Sequence, residues 1–230
     1  MVIPMPAELD FYYRHARKEN LLMMGPEINR YKNPWVREQM QLFQKLGWKF
    51  AVIDCSGEMG SAQLLGEKWS VAERRALQNI QNPLIRVFTV RDLLETMDQV
   101  IVTMEQWELP LNVCIHLGDV VWETREQQSA FITRLRKLLS FRTGLWVVAP
   151  SMKTVPLDLA IVHFHTHVVI PGIDTDVAVY GRWIQQLRMG IEETDLNLED
   201  IGEKEAIFAF RGRSEGARGK IFRSALDTAL

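Results

Sequence analysis

Four short, largely apolar runs constrain this chain more than any other feature: Asn20-Leu21-Leu22-Met23-Met24, Lys49-Phe50-Ala51-Val52-Ile53-Asp54, Leu111-Asn112-Val113-Cys114-Ile115-His116 and Leu145-Trp146-Val147-Val148-Ala149. None alternates apolar with polar residues, so none reads as a strand with one wet face. Continuous runs of this length suit strands covered on both sides, as in a parallel sheet. Helical patterns separate them. Pro34 fits a first helical turn, and Val36, Met40, Phe43 and Leu46 follow at helical spacing until Gly47. Ser70 with Glu73 caps a helix expected over 70–80. A strand is expected over 85–90, and a helix over 90–108 that buries Leu93, Leu94, Met97, Ile101 and Met104 and stops at Pro110. A further helix over 123–141 turns Phe131, Leu135, Leu138 and Leu139 inward. A strand over 165–170, a helix over 174–189 and a last strand over 206–210 complete the set. Strands alternating with helices predict an α/β fold of parallel units joined by right-handed crossovers.

The chain divides by pattern into a lead-in segment at 1–19, the α/β domain at 20–211 and a basic tail at 212–230. Its 230 residues suffice for one domain with a large core. A net charge of −2 excludes a strongly basic nucleic-acid coat but leaves room for DNA held by local loops. Cys55 and Cys114 lie in apolar contexts and read as buried free thiols. No run is long enough to span a membrane, and the start has no signal-peptide pattern, so the expected location is cytoplasmic. Seven tryptophans read mostly as core anchors, and any left exposed would mark an interface.

The segments following the strands carry the functional signal. After the first comes Gly25-Pro26-Glu27-Ile28-Asn29-Arg30-Tyr31-Lys32-Asn33. A phosphate-cradling loop needs glycines, then Lys, then Ser or Thr. Here Gly25 opens the loop and Lys32 stands for the lysine, at a spacing one residue too long. Arg30-Tyr31 replaces the second glycine, and Asn33 stands where a magnesium-binding hydroxyl belongs. Asp54 ends the second strand, where open α/β sheets place ligands, although a turn cap is the plainer reading. The third strand ends in His116-Leu117-Gly118-Asp119. Arg142 and Gly144 precede the fourth strand, and Pro150-Ser151 follows it.

In this order the four segments resemble the FtsK/HerA branch of P-loop ATPases, which includes DNA translocases, conjugative coupling proteins and viral genome-packaging ATPases. The resemblance covers about residues 20–212 and extends to Met189-Gly190-Ile191-Glu192-Glu193 and Gly202 through Ile207. It implies a RecA-like, doubly wound, mainly parallel sheet with helices on both faces. It also implies a vestigial nucleotide site at Gly25, Lys32, Asn33, Asp54, His116, Asp119, Arg142 and Ser151. The family places Asp-Glu after the third strand to hold magnesium water and polarise the attacking water. His116 and Leu117 stand there in this chain, and leucine is no general base. The resemblance therefore implies a subunit without ATP hydrolysis and with no cofactor. Such a subunit is expected to self-associate or to bind a protein partner, with DNA as a further contact. In an alternative reading Lys32 and Asp54 still bind ATP and magnesium, and Arg142 acts from a neighbouring subunit.

A rival class rests on His163, His165 and His167, which on a strand would project to one face. With Asp119 they suggest a dimetal phosphoesterase, but no Gly precedes the His pair and no Asn-His exists. The plain alternative is partly buried strand histidines. In the tail, Arg211, Arg213, Arg218, Lys220 and Arg223 are candidate phosphate contacts, and removal of 212–230 is expected to leave the fold intact.

Overall fold

The computed structural model describes residues 20–45, 50–57, 59, 84–107, 112–141, 144–170, 172, 177–187, 191–192, 201–210 and 219–226. The expected helix over 70–80 lies outside them. The chain forms two compact units, Gln39–Val148 and, from the flanking segments, Met1–Glu38 with Ala149–Leu230. One boundary falls inside helix α1 (Lys32–Lys45), the other near the end of strand β5 (Leu145–Ala149).

The Gln39–Val148 unit contains β2 (Phe50–Asp54), β3 (Leu84–Arg86), α2 (Val90–Trp107), β4 (Asn112–His116), α3 (Arg125–Ser140) and most of β5. Its strands lie in the order β3-β2-β4-β5, all parallel. The register sets Asp54 beside His116, and His116 beside Val148. All five residues of β2, β4 and β5 are buried, as continuous apolar runs require. Asn112, a polar residue within such a run, accepts the Gly144 N–H at 2.8 Å and so ties the start of β4 to that of β5. Phe43, Phe50 and Trp146 pack edge to face, with ring centroids 4.9–6.3 Å apart. Each such pair adds about 0.5–1.5 kcal/mol beyond area burial. Helix α3 buries Phe131, Leu135, Leu138 and Leu139, the face read from the sequence, and Thr124 caps it in a box with Gln127. Helix α2 buries Leu93, Met97, Val100, Ile101 and Met104, while Leu94 is only half-buried.

The flanking unit contains β1 (Leu21–Met24), α4 (Leu157–His163), β6 (Thr166–Val169), α5 (Val177–Leu187), β7 (Ile191–Glu192), β8 (Glu205–Phe210) and β9 (Gly219–Ala225). Its strands lie in the order β1-β6-β8-β9-β7. β6 pairs with β8, and β8 with β9, antiparallel; the other pairs are parallel. The expected last strand at 206–210 is thus not last, and part of the expected tail is β9. Its residue Phe222 sits opposite Phe208 and stacks on Phe208 and Phe210 at 5.7 and 5.6 Å. That aromatic pairing holds the segment in the sheet despite its basic composition. Helix α4 has no counterpart among the elements expected from the sequence. Among the described residues no helix is long and apolar enough to cross a membrane. Cys55 and Cys114 are both free, the first half-buried and the second buried.

Candidate functional site

The loop after β1 is built by close contacts. A Cβ on Gly25 would lie 2.7 Å from Ile170 Cβ, so only glycine fits without displacing β6's continuation. The Gly25 N–H donates to Ala149 O at 3.1 Å. Pro26 then lies against Gly172, and the chain turns, with Asn29 N–H donating to Pro26 O at 3.2 Å. Asn29 organises the second half of the loop. Its Oδ1 accepts the backbone N–H groups of Tyr31 and Lys32 at 2.9 and 3.1 Å. Its Nδ2 donates to Glu203 O at 2.9 Å, fastening the loop to the turn before β8. Tyr31 is buried, with the Arg30 guanidinium 5.0 Å and the Lys204 ammonium 5.4 Å from its ring centroid. Arg30 also reaches Glu203 at 3.6 Å.

Lys32 opens α1 with 0% of its surface exposed. A charged lysine is almost never fully buried unless paired. Its Nζ donates to Gly25 O at 3.0 Å and forms an ion pair with the Glu27 carboxylate. The lysine and the helix-start amides are the donors a phosphate-binding loop presents to an anion. Here acceptors from the same loop, Glu27 and Asn29, engage them. Asn33 is buried beside them in sequence. The spacing arguments missed Glu27 and Asn29. An asparagine shortly ahead of a helix start, able to bond the backbone beyond it, was the available signal for the latter.

In the Gln39–Val148 unit, Asp54 at the end of β2 is 1% exposed and accepts four hydrogen bonds. Oδ1 takes Ser56 N–H at 2.9 Å, Ser56 Oγ–H at 2.7 Å and Gly57 N–H at 3.1 Å; Oδ2 takes Met59 N–H at 3.2 Å. The carboxylate caps its own turn, the plainer of the two sequence readings. Burial, reinforced by the Asp54 charge, pushes the neighbouring Cys55 thiol up to about 12, so it stays protonated near neutral pH. At the end of β4, His116 and Leu117 are both fully buried. His116 O accepts Cys55 N–H at 2.8 Å, and its Nδ1 accepts Gly118 N–H at 3.2 Å. Leu117 N–H donates to Val148 O at 2.9 Å. Gly118 has φ of +56°, and a Cβ there would lie 2.9 Å from Ser56 Cα. This turn therefore needs glycine twice over. Asp119, the first carboxylate after β4, is exposed, on a cleft of about 470 Å³ shared with Cys55, Thr89, Arg91 and Glu123.

Ser151 is exposed, and its Oγ accepts Lys153 N–H at 3.3 Å within its own turn. Arg142, Arg211, Arg213 and Arg218 lie outside the described residues. Lys220 falls in β9, opposite Phe210. Arg223 pairs with Glu205, a hydrogen bond that, with one from Gly202 N–H, draws the Glu205 carboxyl below its usual range. The histidines do not share a strand face. His163 ends α4 and is exposed, His165 precedes β6, and only His167 lies within the strand. Helix α4 begins just after Pro156 and runs to His163, so His163 belongs to a helix and not to the strand pattern. His167 is fully buried. Its Nδ1 accepts Trp183 Nε1–H at 3.3 Å, so the proton sits on Nε2, 3.0 Å from Phe164 O. Both nitrogens are engaged, which gives a metal no ligand at this residue. Among the described residues no three His, Cys, Asp or Glu side chains gather as a metal site.

No family model matches the chain, and no curated protein matches it by sequence. Solved structures do match. The genome-packaging NTPase B204 of Sulfolobus turreted icosahedral virus 2, in complex with ATPγS, aligns over 90% of this chain and 97% of its own, with a TM-score of 0.56 and 7% identity. The DNA-packaging ATPase B204 of Sulfolobus turreted icosahedral virus aligns over 88% and 96%, with a TM-score of 0.54 and 8% identity. The pCW3 conjugation coupling protein TcpA, in its monomer form with ATPγS, aligns over 92% of this chain and 62% of its own, with a TM-score of 0.50 and 12% identity. The order of strands and helices and the structural likeness thus agree on the fold: the chain has a RecA-like α/β fold, as its FtsK/HerA-type P-loop ATPase neighbours do.

Proposed function

We propose that this chain is a P-loop ATPase-like domain without ATP hydrolysis, acting as a structural or regulatory subunit of a DNA-handling or translocation assembly. The observation that carries this reading is the end of β4. The strand runs into His116 and Leu117, both fully buried, and no carboxylate follows until the exposed Asp119. Leu117 holds the position where a carboxylate would orient the attacking water, and leucine has no group that can act as a base.

The remaining residues also fit a magnesium–nucleotide complex poorly. The Lys32 ammonium is already neutralised by Glu27, a buried asparagine stands in place of the hydroxyl ligand, and the Asp54 carboxylate is engaged by its own turn. No catalytic step follows from such a set. Fold and chemistry are separable, because function resides in sites. B204 is a DNA-packaging ATPase and TcpA a conjugation coupling protein, so the assembly this fold suits is one that moves DNA.

Sedimentation velocity of the purified protein at rising concentration, alone and with duplex DNA at low salt, tests the subunit role. The reading predicts a self-associated species or a DNA-bound one. A chain that stays monomeric and sediments apart from DNA contradicts it.

A further inference from the structure

We propose that Glu27 is a built-in counter-anion: its carboxylate does for Lys32 what a bound phosphate would do, and so holds the loop after β1 closed to external polyphosphates. This rests on the reading of that loop as a P-loop relic, and it adds the element that keeps the relic shut.

The physical argument begins with Lys32. Its side chain is wholly buried, Glu27's is 13% exposed, and the two are in direct contact. A buried ammonium must be paired, because desolvation of an isolated charge outweighs what packing can return. Its Nζ donates to the neutral Gly25 carbonyl at 3.0 Å and to the Glu27 carboxylate. Of these two acceptors, Glu27 brings the negative charge. It does so from within a turn whose geometry is fixed on each side: Gly25 by Ile170, Pro26 by Gly172, and Asn29 by Glu203 O. The carboxylate is held close to the ammonium by covalent connection and needs no ordering of a separate ligand. An external anion competes against that high effective concentration and loses. Removing the charge of Glu27 while keeping its shape takes away the loop's own competing carboxylate from beside the ammonium and leaves the preformed turn in place.

The test compares wild type, Glu27→Gln and the double variant Glu27→Gln/Lys32→Met, using inorganic tripolyphosphate as the probe in calorimetric titration and thermal melts. Glu27→Gln is expected to bind the anion at least tenfold more tightly than wild type. At about a hundredfold excess over Kd it should gain roughly 5–10 °C in Tm, while wild type and the double variant stay unchanged. Equal binding by wild type and Glu27→Gln overturns the proposal, as does a folded Glu27→Gln protein that ignores the anion. If Glu27→Gln does not fold alone, tripolyphosphate should restore its refolding, and failure to do so is equally decisive. Phosphate release from ATP by wild type, followed in parallel, would contradict the non-hydrolysing reading without touching the Glu27 comparison.

Discussion

Asp54 accepts three backbone N–H groups and one hydroxyl from the residues after it, all within five positions. Replacing it with alanine removes every one of these acceptors from a nearly buried position. Asp54→Ala should lower unfolding free energy by roughly 2–3 kcal/mol, read from urea denaturation at unchanged m-value. If the residue served mainly as a metal ligand, the same substitution would leave stability in metal-free buffer nearly unchanged. The residue types at the strand ends were legible in the sequence, because a parallel sheet puts its chemistry at its carboxyl ends. Their partners were not. The pairing of Lys32 with Glu27, and the capture of the Tyr31 and Lys32 amides by Asn29, depend on how the loop between β1 and α1 folds back on itself. Motif spacing carries no information about that.

At the scale of elements, periodicity located α1, α2 and α3 and the buried runs β1, β2, β4 and β5 within a few residues. It failed for α4 and β9. Helix α4 spans seven residues, too few for a helical face to declare itself, and β9 hides its strand pattern among glycines and cations. The presence of β9 overturns an expectation. Loss of the segment was expected to leave the fold intact, yet β9 pairs with β8 over six residue positions and stacks Phe222 on Phe208 and Phe210. A chain ending at residue 218 would expose β8 as a bare apolar edge. It should lose more than about 5 °C in Tm or aggregate during expression, as read by melting and soluble yield. An unchanged melt would place β9 outside the stabilising sheet.

At the scale of the molecule, strand order along the sequence proved a better guide than any motif. The structural likeness spans nearly the whole of B204 at 7–8% identity, so the fold is shared where few residues are. The fold class was therefore readable from hydrophobic patterning, while the chemistry had to be argued from individual contacts. Those contacts put buried His116 and Leu117 at the end of β4, and the proposed absence of hydrolysis rests on that placement. Steady-state phosphate release from ATP with magnesium, measured with and without duplex DNA and against Lys32→Ala, tests this most directly. The account predicts release no greater than that of the variant under either condition; turnover by the wild-type chain that Lys32→Ala abolishes would contradict it.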